Sequence, residues 1–492
     1  MHVMNSIQFK SLKFKVVNLT IFFVISTQYN ISADVLTLTE YIKGTLSKHP
    51  AAQFDILEYQ KAIKALIGNE TIKDWNVFAE TSYQKGLSGF GGGYNESGNQ
   101  IQSNLGVNKI IANTGTRINA KFTQAALTGQ PAFRGISFPN QYDATIQIQV
   151  VQPLLKNMFG KVDQYPLKRS NIQKKITYLK YNTDLNTFIK AQISSYLDWT
   201  YQYQVYQLRQ SQYQKAQKQV EITTQQVKKG ASELSDLVLI KQNAMAKKMV
   251  MEEAKVIYLM KKRHILFNYY GKNTKNNLMK PDQNVRIEAP EVSLWTYIKS
   301  KSTIAQIFEL EKEIAALTIK TKRNERLPNI DFLASLKGKN LAETSSTLYD
   351  DDFSNLEKNF ALQLSYPIGN RKLKSEYAQS LITKEEIRFK QQEDWNNIEI
   401  NVADLASQLQ LTLTQIKDVA DLLRLSKKLA VLEKKKYKQG RSQSLTFVLN
   451  AQNSVLENQI RKLQLIIQKY KLYNEQNALI NTYSKAYGGL AQ

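Results

Sequence analysis

The chain has 492 residues, 42% of them hydrophobic, only nine prolines and a formal net charge of +25, which describes an ordered, packable protein and not a disordered one. It contains no cysteine and three histidines (His2, His49 and His264), so disulfide frameworks, thiolate metal sites, cysteine nucleophiles and an N-terminal lipid anchor are excluded, and histidine-centred chemistry has almost nothing to work with. The positive charge is interleaved with Gln, Asn and Glu along helical stretches, without a dense basic block, which reads as solvated helix faces and no nucleic-acid partner.

In chain order, residues 1–33 read as an export signal. Lys10, Lys13 and Lys15 precede the mostly apolar run Val16 to Ser26, and Ile31-Ser32-Ala33 offers a small residue for cleavage. A buried N-terminal helix is the other reading of this segment. Beyond residue 33 no run of about 18 apolar residues occurs, so no transmembrane helix is expected. An exported chain of this kind is periplasmic, secreted or a membrane β-barrel.

The body of the sequence is a duplication. Val227-Lys-Lys-Gly230-Ala-Ser232 returns 210 positions later as Tyr437-Lys-Gln-Gly440-Arg-Ser442, and Gln152-Pro153-Leu154 is echoed by Tyr366-Pro367-Ile368. The first copy spans 34–270 and the second 294–492, joined by a linker at 271–293. Each copy follows one plan: helix, strands, a very long helix, a glycine turn and a returning helix.

The strands are expected at about 75–85 and 142–152 in the first copy, and at 329–337 and 358–366 in the second. Ile146, Ile148 and Val150 alternate with Gln147 and Gln149, and Phe360, Leu362 and Leu364 alternate with Ala361, Gln363 and Ser365. Period-two alternation of this length fits a barrel wall that is apolar outward and polar inward, and equally a half-buried sheet of a soluble protein. The stretches Lys85 to Gln100, Leu127 to Gln141 and Gly338 to Glu357 read as long exposed loops. A further alternating pair lies between them at 102–126, turning at Asn113-Thr-Gly115.

Long helices follow at 166–229 and 372–439, without internal Gly or Pro. In the first, Leu185, Ile189, Tyr196, Trp199, Tyr203, Tyr206 and Tyr213 keep a four-three spacing, with Gln192 on one of the remaining steps. Val402, Leu405, Leu409, Ile416, Val419 and Leu423 repeat it in the second copy. Returning helices are expected at 234–268 and 445–487, after tips at 227–236 and 437–446. Sustained four-three spacing is the seam of a coiled coil, and some 64 residues at 1.5 Å each reach roughly 95 Å. A compact domain has no use for such a length.

Taken together, the order and duplication of these features resemble the TolC-like outer-membrane efflux proteins over essentially the mature chain. Leu36-Thr-Leu38-Thr-Glu40-Tyr-Ile42 with His49-Pro50 is similar to the family's opening helix, and Asn324-Glu-Arg-Leu-Pro328-Asn-Ile to its approach to a barrel strand. The resemblance implies an α+β membrane protein in which a long antiparallel α-helical coiled-coil barrel carries a trimeric transmembrane β-barrel, built from two tandem repeats. It implies a homotrimeric exit duct in the outer membrane of a Gram-negative bacterium, with a long periplasmic extension. Its partners would be a periplasmic adaptor, an inner-membrane transporter and outer-membrane lipid, in efflux or type I secretion.

By that resemblance, Val227, Lys228, Gly230, Ala231, Ser232, Tyr437, Lys438, Gly440, Arg441 and Ser442 form adaptor-docking tips. Asp236, Thr446 and Asn450 lie where the family often narrows its periplasmic aperture; with Thr446 in place of a second aspartate, an anionic ring is not expected. The barrel lumen receives Gln147, Gln149, Gln363 and Ser365. The family pattern has two strands per copy, so the pair at 102–126 is either an extracellular addition, the reading favoured here, or an enlargement of the barrel.

No catalytic constellation is expected, and no cofactor or metal. Glu252-Glu253, Asp350 to Asp352 and Ser235-Asp236 read as solvated surface. Met245, Met249, Met251 and Met260 read as core packing, with soft-metal handling as the alternative. The rival function is an exported trimeric coiled-coil structural or adhesion protein without channel activity.

Overall fold

The computed structural model describes residues 35–88, 97–128, 140–271, 279–349, 353, 356–439 and 445–487. The export segment 1–33, the acidic run at 350–352 and the second tip at Gly440, Arg441 and Ser442 lie outside them.

The chain begins with strand β1 (Val35–Leu36) and helices α1 (Leu38–Lys48) and α2 (Pro50–Gly68). Local chemistry explains both helix starts. Thr37 and Glu40 form a reciprocal capping box, and His49 caps α2 by accepting the Ala51 N–H on Nδ1 at 3.1 Å, with Pro50 in the first turn. Four strands follow, β2 (Asn76–Ser88), β3 (Ser97–Ile111), β4 (Thr116–Thr128) and β5 (Gln141–Pro153).

Helices α3 (Gln164–Lys228) and α4 (Leu234–Tyr270) make the first long hairpin. Strand β6 (Lys280–Pro281) pairs in parallel with β1. Helices α5 (Leu294–Lys301) and α6 (Thr303–Glu325) then lead to β7 (Asn329–Ala342) and β8 (Leu356–Ser365). The second hairpin is α7 (Arg371–Lys438) and α8 (Leu445–Leu479), and Asn481 at positive φ breaks the return arm before α9 (Thr482–Tyr487). At 65 and 68 residues, α3 and α7 each extend about 100 Å.

The long helices form a layer in which α3 packs on α4 and α8, and α8 packs on α7. Leu405, Thr412, Val419 and Ser426 are buried at a strict spacing of seven along α7, the seam of a coiled coil. The main core lies where α1, α3, α4 and the end of the chain meet, with Tyr41, Ile189, Tyr196, Trp199 and Ile265 buried in it. Gln192, on the seam of α3, is buried there too. It is satisfied by the Tyr41 hydroxyl (2.7 Å) and the Asn268 amide (3.0 Å). Tyr196 ties the β1–β6 pair to this core by donating to the Leu36 carbonyl and accepting from the Asp282 N–H.

Among the described residues, β2, β3, β4, β5, β7 and β8 form one antiparallel sheet in that order. This corrects the reading of 102–126 as an extracellular addition. The hairpin β3–β4 is inserted between β2 and β5 and pairs with both along nearly its whole length. The strands also run past their expected ends. Residues 86–88, 97–100 and 338–342, which read as loop from their Gly, Ser and Asn content, are held extended by ladder partners.

Candidate channel wall and helix tips

Directly opposed residues of an antiparallel pair share a face, so the register assigns every side chain of the wall. Ile146 faces Phe122 and Gly338, and Ile148 faces Ala120 and Leu336. The same face continues outward through Leu105 and Val107 to Ala79 and Val77, and on the other side through Phe332 to Leu362. Opposite it lies a polar face. Gln147 pairs with Lys121 and Lys337, Gln149 with Asn119 and Ser335, Gln363 with Asp331, and Ser365 with Asn329. The four expected lumen residues therefore lie on one face.

The polar face is a connected hydrogen-bonding surface. Thr123 Oγ1 donates to Asn104 Oδ1 at 3.0 Å, Gln102 donates to the same oxygen at 3.1 Å, and Asn119 donates to Asn108. Lys339 pairs with Asp143 and Lys337 with Glu357. Apolar residues are few on this face, among them Ile110, Val151 and Leu333 toward the helix side, and Phe78, whose ring covers Gly106, where a Cβ would come within 2.4 Å of it.

Among the described residues nothing covers the apolar face. Phe360 is 68% and Leu362 69% exposed, and Val77, Leu105, Ile148 and Leu336 are exposed as well. Among the described residues no α-helix packs over the six-stranded sheet. On this face β3 presents Ile101, Leu105, Val107 and Ile111, with Ser103 and Lys109 between them. Trp75 and Tyr366 sit at the helix-side end of the sheet and Tyr83 toward its outer end, all exposed. Lys109 Nζ stands 5.5 Å from the Trp75 ring. No helix of the described residues is long and apolar enough to cross a membrane.

The sheet joins the helices through a tight polar knot. Asn157, buried at φ 63°, accepts the Val162 and Asp163 N–H groups on Oδ1 (2.9 and 3.1 Å) and donates to the Asp163 carboxylate at 2.6 Å. Its own N–H donates to Asn324 Oδ1 at 3.0 Å, linking the start of α3 to the end of α6. Asn370 stands at the matching place in the second half, again buried and at positive φ, and donates to the Arg326 carbonyl. The β3–β4 turn is pressed into this knot. A Cβ on Gly160, at φ 62°, would lie 1.7 Å from the Ala112 carbonyl oxygen, and Gln152 donates to the Thr114 carbonyl.

At the far end, Gly230 closes α3 in a Schellman motif. The Ala231 N–H reaches the Gln226 carbonyl (2.8 Å) and the Gly230 N–H the Val227 carbonyl (3.0 Å), with Gly230 at φ 72°. Lys228, Gly230, Ala231 and Lys438 are exposed, while Val227, Ser232 and Tyr437 are half-buried. Asp236 gathers the tip. Its carboxylate accepts from Ser232 Oγ at 3.2 Å and from the Tyr437 hydroxyl at 3.1 Å, a contact between the start of α4 and the end of α7. Burial, and then the Asp236 charge, push the Tyr437 phenol above its ordinary range, so it stays a donor. Thr446 and Asn450 are exposed at the start of α8, apart from this bond.

The methionine reading needs correction. Only Met251 is buried; Met245 (70%) and Met249 (74%) stand out from α4. Val238, Met245, Met249, Val256, Met260 and Phe267 make an exposed row at a seven-four spacing on α4. An exposed row on α7 includes Phe389, Ile400, Leu411 and Leu422 at every eleventh position. The two outer helices of the layer thus carry apolar edges. Among the described residues no group of three His, Asp or Glu side chains could hold a metal ion.

This architecture is the fold of the TolC-like outer-membrane channels. The chain is similar to the solved structure of the transmembrane channel protein CusC, at TM-score 0.65 and 13% identity over 92% of this chain and 95% of that one. It is also similar to the outer-membrane protein VceC of Vibrio cholerae (TM-score 0.63, 12% identity, 90% and 96% covered). The Neisseria gonorrhoeae MtrE outer-membrane channel, solved in an open state, matches at TM-score 0.61 and 15% identity, with 93% of each chain covered. No family model matches the sequence, and no curated protein does.

Proposed function

We propose that three copies of this chain form an outer-membrane exit duct, passing substrates from a periplasmic adaptor and an inner-membrane pump to the exterior, with no catalytic step of its own. The observation that carries this is the two-faced sheet: one face a hydrogen-bonded polar surface, the other apolar and uncovered, with β2 and β8 each paired on one side alone among the described residues. In water such a face would be buried under a helix, and its open edges would invite aggregation. In lipid the apolar face is at home, but the edges must be closed by further strands. Identical neighbours in a ring supply them. The apolar rows of α4 and α7 are the matching requirement in the helical layer, where copies meet side by side to close a tube.

In this reading Gln147, Gln149, Gln363 and Ser365 line the lumen, and the tips around Gly230 and Gly440 face the adaptor. Asp236 and Tyr437 hold the aperture region together. An adhesion stalk has no use for an uncovered apolar sheet, so that alternative is not favoured. The test is purification from outer membranes in detergent, followed by planar-bilayer recording. Discrete conductance steps from the oligomer are expected; a folded trimer that never conducts would overturn the proposal.

A further inference from the structure

We propose that the hairpin β3–β4 is part of the pore wall, so that three copies close one barrel of eighteen strands, with β2 of each copy paired to β8 of the next. The inference rests on the duct reading above and adds what that reading leaves open, the size of the outer pore.

The hairpin obeys the same two-faced rule as the strands around it. Leu105, Val107, Ile118, Ala120 and Phe122 lie on the apolar face, continuous with Ile146 and Ile148. Asn104, Asn108, Asn119 and Thr123 carry the polar ladder on the other. A hairpin standing in water beyond the membrane would not need an uncovered apolar face. Its turn also points the wrong way for an extracellular addition, since Ala112 and Gly115 pack against Asn157 and Gly160 at the helix-side end of the sheet.

The free edges then fall on β2 and β8, and every residue of β8 is exposed. Odd-numbered residues of β2 from Val77 to Tyr83 share the apolar face with even-numbered residues of β8 from Phe360 to Leu364. A pairing that keeps the two faces continuous must therefore set odd against even.

The dimensions agree. Eighteen strands about 4.8 Å apart and tilted about 40° make a ring about 36 Å across at the backbone, against about 24 Å for twelve. Four long helices per copy give a tube of twelve, about 34 Å across at a spacing of about 9 Å. An eighteen-stranded wall continues that tube without a taper. The barrel is then not the narrowest part of the duct, and restriction falls to the tips.

The experiment is electron cryo-microscopy of the full-length oligomer in lipid nanodiscs, with its mass measured in parallel. The expected result is three copies, eighteen strands and a backbone diameter near 36 Å. Three copies with twelve strands, and the hairpin lifted out of the ring, would overturn the inference while leaving the duct intact. Two copies closing twelve strands would overturn it as well. An oligomer with no closed ring would overturn the duct reading itself. A labelling arm uses the absence of cysteine. Leu105→Cys and Phe122→Cys should react with a lipid-phase thiol probe, and Asn104→Cys and Lys121→Cys with an aqueous one. Aqueous labelling of all four would take the hairpin out of the membrane.

Discussion

Single residues matter most where the backbone has no room to give. Gly160 and Gly230 are both left-handed, but Gly160 is also crowded, by the Ala112 carbonyl, whereas among the described residues nothing lies within 4 Å of a Cβ on Gly230. Gly160→Ala should therefore cost about 3 kcal/mol or more, from strain plus a backbone clash. Gly230→Ala should cost only the left-handed penalty of about 1–2 kcal/mol. Thermal dissociation of the oligomer should rank them in that order. Tyr437→Phe removes the hydroxyl that holds Asp236, a half-exposed bond worth about 1 kcal/mol. The helix ends should then separate more readily, and bilayer recordings should show a larger or more frequently open conductance. Unchanged conductance would mean that this bond does not restrain the aperture.

Among the elements, the strands make the sharpest forecast, because a slip of one residue exchanges the two faces completely. Gln147, Gln149, Gln363 and Ser365 changed to cysteine should be labelled by a water-soluble thiol reagent. Ile146, Ile148, Phe360 and Leu362 should resist it and react with a lipid-soluble probe. The reverse pattern would mean a shifted register or a sheet outside the membrane. Among the helices, the absence of Gly and Pro between 166 and 229 was the legible mark of a segment that runs from Gln164 to Lys228. The end of the last helix was not legible, since Asn481 breaks it with no proline or glycine to announce the break.

At the scale of the whole molecule, a duct must be exported and must dock. Intact mass of outer-membrane material should correspond to a chain beginning near Asp34; a mass retaining residues 1–33 would overturn the export argument. Docking is best tested where the tip is free. Ser232 is engaged by Asp236 and half-buried, so a bulky replacement there would disturb the tip itself. Ala231 is exposed. Ala231→Trp should leave the oligomer and its bilayer conductance intact while reducing export in cells that carry the cognate adaptor and pump. Normal export would move the adaptor surface from the tips to the side of the helical tube.

What the sequence determined by itself is whatever depends on local periodicity. Alternation in Ile146 to Gln149 defines two faces, the four-three run from Leu185 to Tyr213 a coiled-coil seam, and Gly230 a helix end, because each follows from backbone geometry a few residues at a time. What only the tertiary structure decided depends on which segments become neighbours. The run 102–126 alternates equally well on its own or inside a larger sheet, and only the structure shows that it pairs with β2 and β5. Met245 and Met249 have the spacing of a packed stripe, yet α3 covers the other side of α4 and leaves them outside. The bond from Tyr437 to Asp236 joins residues 201 positions apart. No local pattern carries such a contact, since it exists only once the long helices α3 and α7 have brought the ends of the two hairpins together.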